Sequence, residues 1–451
     1  MATTNNNLLT PSIVKGKVLN NTIKNPKIIL INNPDIKMVN KLSVNKKTRI
    51  VITGPTSFLA SNFIFELCLA LVADIKYLEV YLLGRSKGGG TLKERVESQY
   101  FGNEAYLPFP SKHIKKLREF FTNSVKYIDF ELTKDNLGLN NNGLEVLIGT
   151  KIDYFLHIAA LPDLRIKKIY EKQINEVNVN GTKNIIKLMK RLSILNAIYV
   201  GTAYVAGKET GVISPNTQDL NREFNNAYEK SKLEGEILFT DYCKTSNIQY
   251  QAFRPSVICG RLSSAPYGAV NKYDVFYQFC LFFLAIKMKQ FNASSPSLYT
   301  ESVHYPIRMF HDIEGSLNIV PVDYIARLMV VLMLEGKKNE GFHLTNPISA
   351  KNTNYIPFLL KYLKIEGVVH VASEPLDKTK QERIYYEYCG DIFRPYLTNY
   401  NQTFDLSNLT DLSQKYGIVC PRINDSTLNI LLSYASNNHF GLVQKKANVL
   451  A

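Results

Sequence analysis

The sequence predicts an α/β protein: a Rossmann-type, doubly wound parallel sheet with a smaller, mostly helical C-terminal substrate-binding region. Three observations carry this. Short apolar runs alternate with helical periodicity from residue 49 to about residue 255, the pattern of βαβ units whose sheet is covered on both faces. The first run, Val51-Ile-Thr-Gly-Pro-Thr-Ser-Phe-Leu-Ala-Ser-Asn-Phe63, passes from an apolar strand through a Gly-containing turn into a helix. From about Gly260 the alternation breaks and aromatics become dense.

Taken in order, Arg49–Thr53 reads as a buried strand and Ser57 to about Ala73 as a helix. Leu78–Leu83, Lys126–Phe130 and Asp153–Ile158 read as the next three strands. Asn175–Leu192 reads as a helix with Ile185, Ile186 and Met189 on one face, followed by strand Ala197–Val200. Ala227 to about Thr245 is a helix, and Tyr250–Phe253 the strand after it. Leu317–Ala326 looks like a late return to the sheet that leads into a helix through Leu334. The expected organisation is a basic leader (1–47), a dinucleotide-binding domain (48–260), a mixed segment returning to the sheet and lining the substrate site (261–345), and a mostly helical cap (346–451).

The 451 residues are 45% hydrophobic and 21% charged, ordinary values for a globular enzyme. The net charge of +15 would suit nucleic acid, but its placement argues otherwise. Residues 1–47 carry eight lysines and one aspartate, about +7 of the total, in an Asn- and Lys-rich stretch without helical or strand period. This reads as a solvated leader, with peripheral membrane contact or partner docking as the other use of its charge. The six cysteines are scattered with no CxxC, which fits reduced thiols in a cytoplasmic setting and no zinc site. The first residues lack the apolar core of a signal peptide. The longest apolar run, Phe276–Ile286, is too short to span a bilayer and reads as a buried helix. The oligomeric state is not legible.

The first turn has the spacing Gly54-x-x-Ser57-x-x-Ala60. In a doubly wound sheet, small residues at this turn let the backbone approach a pyrophosphate, and the helix N-terminus supplies N–H donors. Any strand followed by a Gly-Pro turn looks similar. The second strand ends in Leu83-Gly-Arg-Ser-Lys-Gly-Gly-Gly-Thr-Leu-Lys-Glu-Arg95. Arg85, Lys87, Lys93 and Arg95 there suit a ribose 2′-phosphate, whereas an NAD site wants a carboxylate. A solvated basic loop is the other reading.

Tyr228 and Lys232 are four apart on a helix and share a face. A nearby ammonium lowers a phenol's pKa, and the phenol then exchanges a proton with a carbonyl oxygen. Thr202 ends a strand, where a hydroxyl faces the ligand crevice, although turn threonines often satisfy their own backbone. His157 ends an apolar strand and reads as structural. His304, His311 and His343 lack metal-like spacing, and Asp323 reads as a helix-start residue.

Residues 49–345 resemble the extended short-chain dehydrogenase/reductases, and within them the fatty acyl-CoA reductase and thioester-reductase branch of male sterility type. VITGPTSFLASN is similar to that family's TGxxGFLG loop, and Val80-Tyr-Leu-Leu-Gly-Arg-Ser86 to its second strand. Leu132-Thr-Lys-Asp-Asn-Leu-Gly-Leu139 with Leu156-His-Ile-Ala-Ala160, then Asn178-Val-Asn-Gly-Thr182, resemble its middle motifs. Phe253-Arg-Pro-Ser-Val-Ile-Cys-Gly260 and Val320-Pro-Val-Asp-Tyr324 resemble its later ones. The resemblance implies Thr202, Tyr228 and Lys232 as catalytic hydroxyl, acid and lysine. It implies NADPH held by Gly54, Thr56, Ser57, Phe58 and Leu59, by Arg85 and Arg95, by Glu131, Leu132, Ala159 and Ala160, and by Asn178, Lys232, Pro255 and Val257. Ser57 replaces the loop's central glycine, Phe130-Glu131 stands where the family has Gly-Asp, and residues 350–451 match nothing firmly. The expectation is reduction of a small-molecule or carrier-bound acyl thioester, or of the derived aldehyde. A dehydrogenase, epimerase or dehydratase acting on a nucleotide sugar, sterol or similar alcohol shares the same signals. A nucleotide-binding scaffold or sensor is the non-enzymatic alternative.

Overall fold

The computed structural model describes residues 46–292, 294–398 and 401–442. Almost all of the leader, 1–45, and the last residues of the cap lie outside them. Seven strands form one parallel sheet: β1 (Thr48–Thr53), β2 (Leu78–Gly84), β3 (Val125–Asp129), β4 (Lys151–His157), β5 (Ser193–Val200), β6 (Gln249–Pro255) and β7 (Glu340–Leu344). Their spatial order is β7-β6-β5-β4-β1-β2-β3. The chain therefore winds outward from β1 in one direction, then from β4 in the other. The switch point lies between β1 and β4, where Thr53 pairs with His157, and ligands of such sheets bind beyond the strand ends there.

The apolar runs are continuous because both faces are buried. Ile50 and Ile52 point into one core with helix α1 (Phe58–Ala70). Val51, between them, points into another with Phe155, Ile185 and Phe239, as the two-residue strand period requires. Helix α2 (Ala227–Thr245) has the limits that the sequence predicts. The helix expected at Asn175–Leu192 begins earlier: Lys168–Asn175, a π-helical turn Glu176–Asn180, and Gly181–Met189 run in succession.

The late return to the sheet is not where the sequence places it. Ile319–Pro321 pairs in parallel with Val257–Cys259, in a separate two-stranded ladder. The return is β7, pairing with β6 from Glu340↔Gln251 to Leu344↔Pro255. Between these strands runs the predicted helix, α3 (Val322–Glu335), which packs in the α1 core. The run at Phe276–Lys287 is the expected buried helix, and no helix among the described residues is long and apolar enough to cross a membrane.

The segments after Gly260 build a second core from Phe276–Leu284, Val303–Met309, Tyr355–Leu363 and Leu428–Ala435. Helices dominate beyond residue 346, but Ile365–Val371 pairs with Val303–Phe310, and Gln402–Phe404 with Gly211–Ile213. Phe58, Leu164 and Tyr204, which follow β1, β4 and β5, pack against this second core, and Val257, which follows β6, lies in it.

Candidate active site

A cleft of about 670 Å³ opens at the C-terminal ends of β1, β2, β4, β5 and β6. Gly54, Thr56, Ser57, Phe58 and Leu59 line it from the first turn. Gly54 has φ +68°, and a Cβ there would lie 3.0 Å from Ala159 Cα, so conformation and space both require glycine. Ser57 does not need to be glycine. Its backbone is extended (φ −74°), and its hydroxyl caps α1 by accepting from Ala60 N–H at 3.4 Å. No acidic residue stands in the first turn of α1, so the positive end of its dipole is left for an anion.

Thr53 ties this turn to β4. Its Oγ1 accepts from the N–H groups of Ile158 (3.0 Å) and Ala159 (3.1 Å). Its own proton is then directed to His157 Nδ1, 3.0 Å away. That assigns the other proton to His157 Nε2, which faces Thr182 Oγ1 at 3.4 Å. Burial, aided by the charge of Lys232, pushes His157 down to about 3, so it is a neutral strut.

Of the four basic residues predicted after β2, two reach the cleft, Arg85 and Arg95. Lys93 turns to Glu97 (3.9 Å), and Lys87 sits in a tight turn closed by Gly90. Arg85 Nη1 donates to Glu131 Oε2 at 3.3 Å. Arg95 donates to the Arg85 carbonyl oxygen and reaches Thr56 Oγ1 at 3.5 Å. Desolvation and the neighbouring Arg85 charge hold Arg95 below its ordinary value, the mark of two cations kept side by side. Asp129, which sequence reading did not single out, accepts from the N–H and hydroxyl of Ser86 (2.9 and 2.7 Å) and so shapes this loop. Glu131, Leu132, Ala159 and Ala160 complete this end of the cleft.

Thr202, Tyr228 and Lys232 line the other end, with Pro255 and Val257. Thr202 Oγ1 donates to Pro255 O at 3.3 Å and accepts from Tyr204 N–H at 3.4 Å. Tyr228 faces the cleft beside Thr202. Desolvation by the cleft walls raises the Tyr228 phenol above its ordinary value, Thr202 lowers it, and Glu229 and Asp274 raise it again. The Lys232 ammonium sits 4.4 Å over the Tyr199 ring. Its burial drives Lys232 down to about 7 against the pull of Glu236. Burial thus keeps the Tyr228 phenol protonated.

Asn178 does not line the cleft. It lies in the π-helical turn one layer behind, where Oδ1 accepts from Leu161 N–H (2.8 Å) and Nδ2 donates to Leu161 O (3.1 Å) and Ser231 Oγ (3.0 Å). It couples the wall loop to helix α2. Asp323, at the start of α3, accepts three backbone N–H groups of Leu262, Ser263 and Ser264. Sequence reading missed Tyr204, Asp274, Val275 and Tyr396, which also face the cleft. Tyr396 carries no local signal, because it arrives from the far end of the chain. No group of His, Cys, Asp and Glu among the described residues is placed to hold a metal ion.

This sheet order, nucleotide turn and Tyr-x-x-x-Lys pair at the strand ends are those of an extended short-chain dehydrogenase/reductase, and the cradle at Gly54 fits a nicotinamide dinucleotide. More narrowly, the chain belongs to the male sterility protein family of fatty acyl-CoA and thioester reductases, whose NAD-binding model matches residues 52–329. It is similar to a probable fatty acyl-CoA reductase 5 of Arabidopsis thaliana, 26% identical over 166 residues, 36% of this chain and 32% of that protein. It is also similar to human fatty acyl-CoA reductase 1, 30% identical over 159 residues, 34% of this chain and 28% of that protein. The match thus spans about a third of the length of these relatives. In fold, the chain resembles the terminal R domain of the myxalamid PKS-NRPS pathway (TM-score 0.63, 19% identity, 88% of this chain and 92% of that one). It also resembles the dTDP-glucose 4,6-dehydratase DesIV of Streptomyces venezuelae with NAD and TYD bound (TM-score 0.56, 15% identity, 87% and 98%).

Proposed function

We propose that the protein reduces an acyl thioester, coenzyme A-linked or carrier-bound, with NADPH, and that the derived aldehyde is a second substrate. The observation that carries this is one cleft with two cationic guanidiniums at one end and Thr202, Tyr228 and Lys232 at the other, in a chain of this family. Arg85 and Arg95 would hold the 2′-phosphate, and the turn at Gly54 with the α1 N-terminus the pyrophosphate. NADPH, when bound, supplies hydride to the thioester carbonyl carbon.

As that carbon gains hydride, its oxygen gains charge. Thr202 and Tyr228 hydroxyls stabilise it, and Tyr228 supplies the proton. Lys232 sits on the same helix face and relieves the charge left on the phenolate. The resulting hemithioacetal loses its thiol to give the aldehyde. Leu161, Pro162, Leu164 and Val275 make this end apolar, which favours a lipophilic acyl chain. All six cysteines are free, which supports a reducing, cytoplasmic setting. The test is NADPH oxidation by the purified protein with acyl-CoA thioesters of graded chain length, with aldehyde or alcohol identified by mass. No turnover with any acyl-CoA or acyl-carrier thioester overturns the proposal.

A further inference from the structure

The C-terminal region does more than cover the cleft. Helix Asp391–Leu397 lies more than sixty residues beyond the stretch matched by the family model, and its Tyr396 is buried against α2. The Tyr396 hydroxyl accepts from Asn226 Nδ2 at 2.9 Å and donates to Glu229 Oε1 at 2.8 Å. Asn226 is the N-cap of α2, and its Oδ1 accepts from Glu229 N–H at 3.0 Å. Asn226, Tyr396 and Glu229 therefore close a ring around the first turn of the helix, and that turn carries Tyr228.

The other Glu229 oxygen accepts from Asn225 N–H (2.9 Å) and Asn225 Nδ2 (3.1 Å). Glu229 is fully buried. A buried carboxyl with this many donors is costly to leave partnerless, so the ring is rigid once formed. The Tyr396 ring stands edge-on to Tyr204 at 4.9 Å, and both line the cleft beside Thr202 and Tyr228. The only member of the ring from outside the dinucleotide-binding region is Tyr396.

We infer that Tyr396 is a positioning residue: through Asn226 and Glu229 it fixes the first turn of α2, and with it the placement of the Tyr228 phenol against Thr202. This rests on the reductase reading for its kinetic consequence, but the geometry of the turn can be read without turnover. A first turn held only by its own N-cap frays readily. The ring gives the C-terminal region a direct hold on the acid.

The test uses the full chain with Tyr396→Phe, which keeps the aromatic ring, and Asn226→Ser, which keeps the N-cap acceptor but removes the donor to Tyr396. Melting temperature and circular dichroism check that each variant folds. Amide hydrogen exchange should quicken at residues 227–230 in both variants and stay unchanged in the rest of α2. With an acyl-CoA substrate, kcat should fall about tenfold in each, the worth of one well-made hydrogen bond, while NADPH affinity is unchanged. The double variant should be no worse than either single one, because both break the same ring. Unchanged exchange at 227–230, or additive losses in the double variant, overturns the inference. If the unaltered protein turns over no acyl thioester, the reductase reading falls, and the exchange arm alone decides the role of Tyr396. Should Tyr396→Phe fail to fold, Asn226→Ser carries both arms.

Discussion

Arg85 and Glu131 face each other across 3.3 Å at the mouth of the cleft, one at the end of β2 and the other just beyond β3. The pair is solvent-accessible, so it contributes little to stability. On the proposed NADPH reading, its effect is on ligand choice. Glu131 holds Arg85 ready but also neutralises part of the charge that an incoming phosphate would meet. Arg85→Ala should weaken NADPH binding by about tenfold or more and leave NADH binding unchanged. Glu131→Gln should tighten NADPH a few-fold at low salt, as measured by calorimetric titration of both cofactors.

Gly54→Ala should damage both fold and cofactor binding. The left-handed backbone and the 3.0 Å approach to Ala159 each oppose a methyl group. A loss of about 1–3 kcal/mol in stability is expected, together with loss of NADPH-induced thermal stabilisation. Chemical denaturation with and without cofactor separates the two effects.

Ser57 has a different task. As the cap of α1 it should cost about 1 kcal/mol when replaced by alanine and only a few tenths when replaced by glycine. If NADPH affinity is equal in the unaltered protein and Ser57→Gly, the hydroxyl is a cap alone. A weakened affinity identifies it as a phosphate ligand.

Tyr228→Phe should remove the acid and keep the fold. The expected result is a fall in kcat of about a hundredfold or more with NADPH affinity retained. Stopped-flow measurement of NADPH oxidation in a single turnover places the loss on the chemical step.

His157 gives a pH signature. Its folded value, about 3, lies below its ordinary value of 6.5. The unfolded chain therefore binds a proton there that the folded chain refuses. The stability from keeping His157 neutral is complete above pH 6.5 and is lost as pH falls toward 3. His157→Asn should flatten this part of the acid limb in melting curves recorded between pH 3 and 6.5, relative to the unaltered protein.

The strands and helices that lead to the cleft were legible because their signals are local. Val51 alternates with Ile50 and Ile52 between two cores, and Tyr228 and Lys232 fall on one face of helix Ala227–Thr245 by their spacing alone. The seventh strand was not. Glu340-Gly-Phe-His-Leu344 is short and carries Gly341 and His343, while the more strand-like Ile319–Pro321 lies nearby and pairs elsewhere. A short apolar run says that it will be buried, not which edge will receive it.

By itself the sequence determined the first six strands of the sheet, the turn that needs Gly54, and the spacing that puts Tyr228 and Lys232 on one helix face, since each depends on residues close together in the chain. Tertiary structure alone decided which cations enter the cleft, that Lys232 settles over the Tyr199 ring, and that Asn178 stands one layer back. It alone brought Tyr396 to Glu229, 167 residues away along the chain. Burial and charge at those positions come from groups distant in sequence, and no local pattern encodes a contact whose partner arrives from another part of the fold.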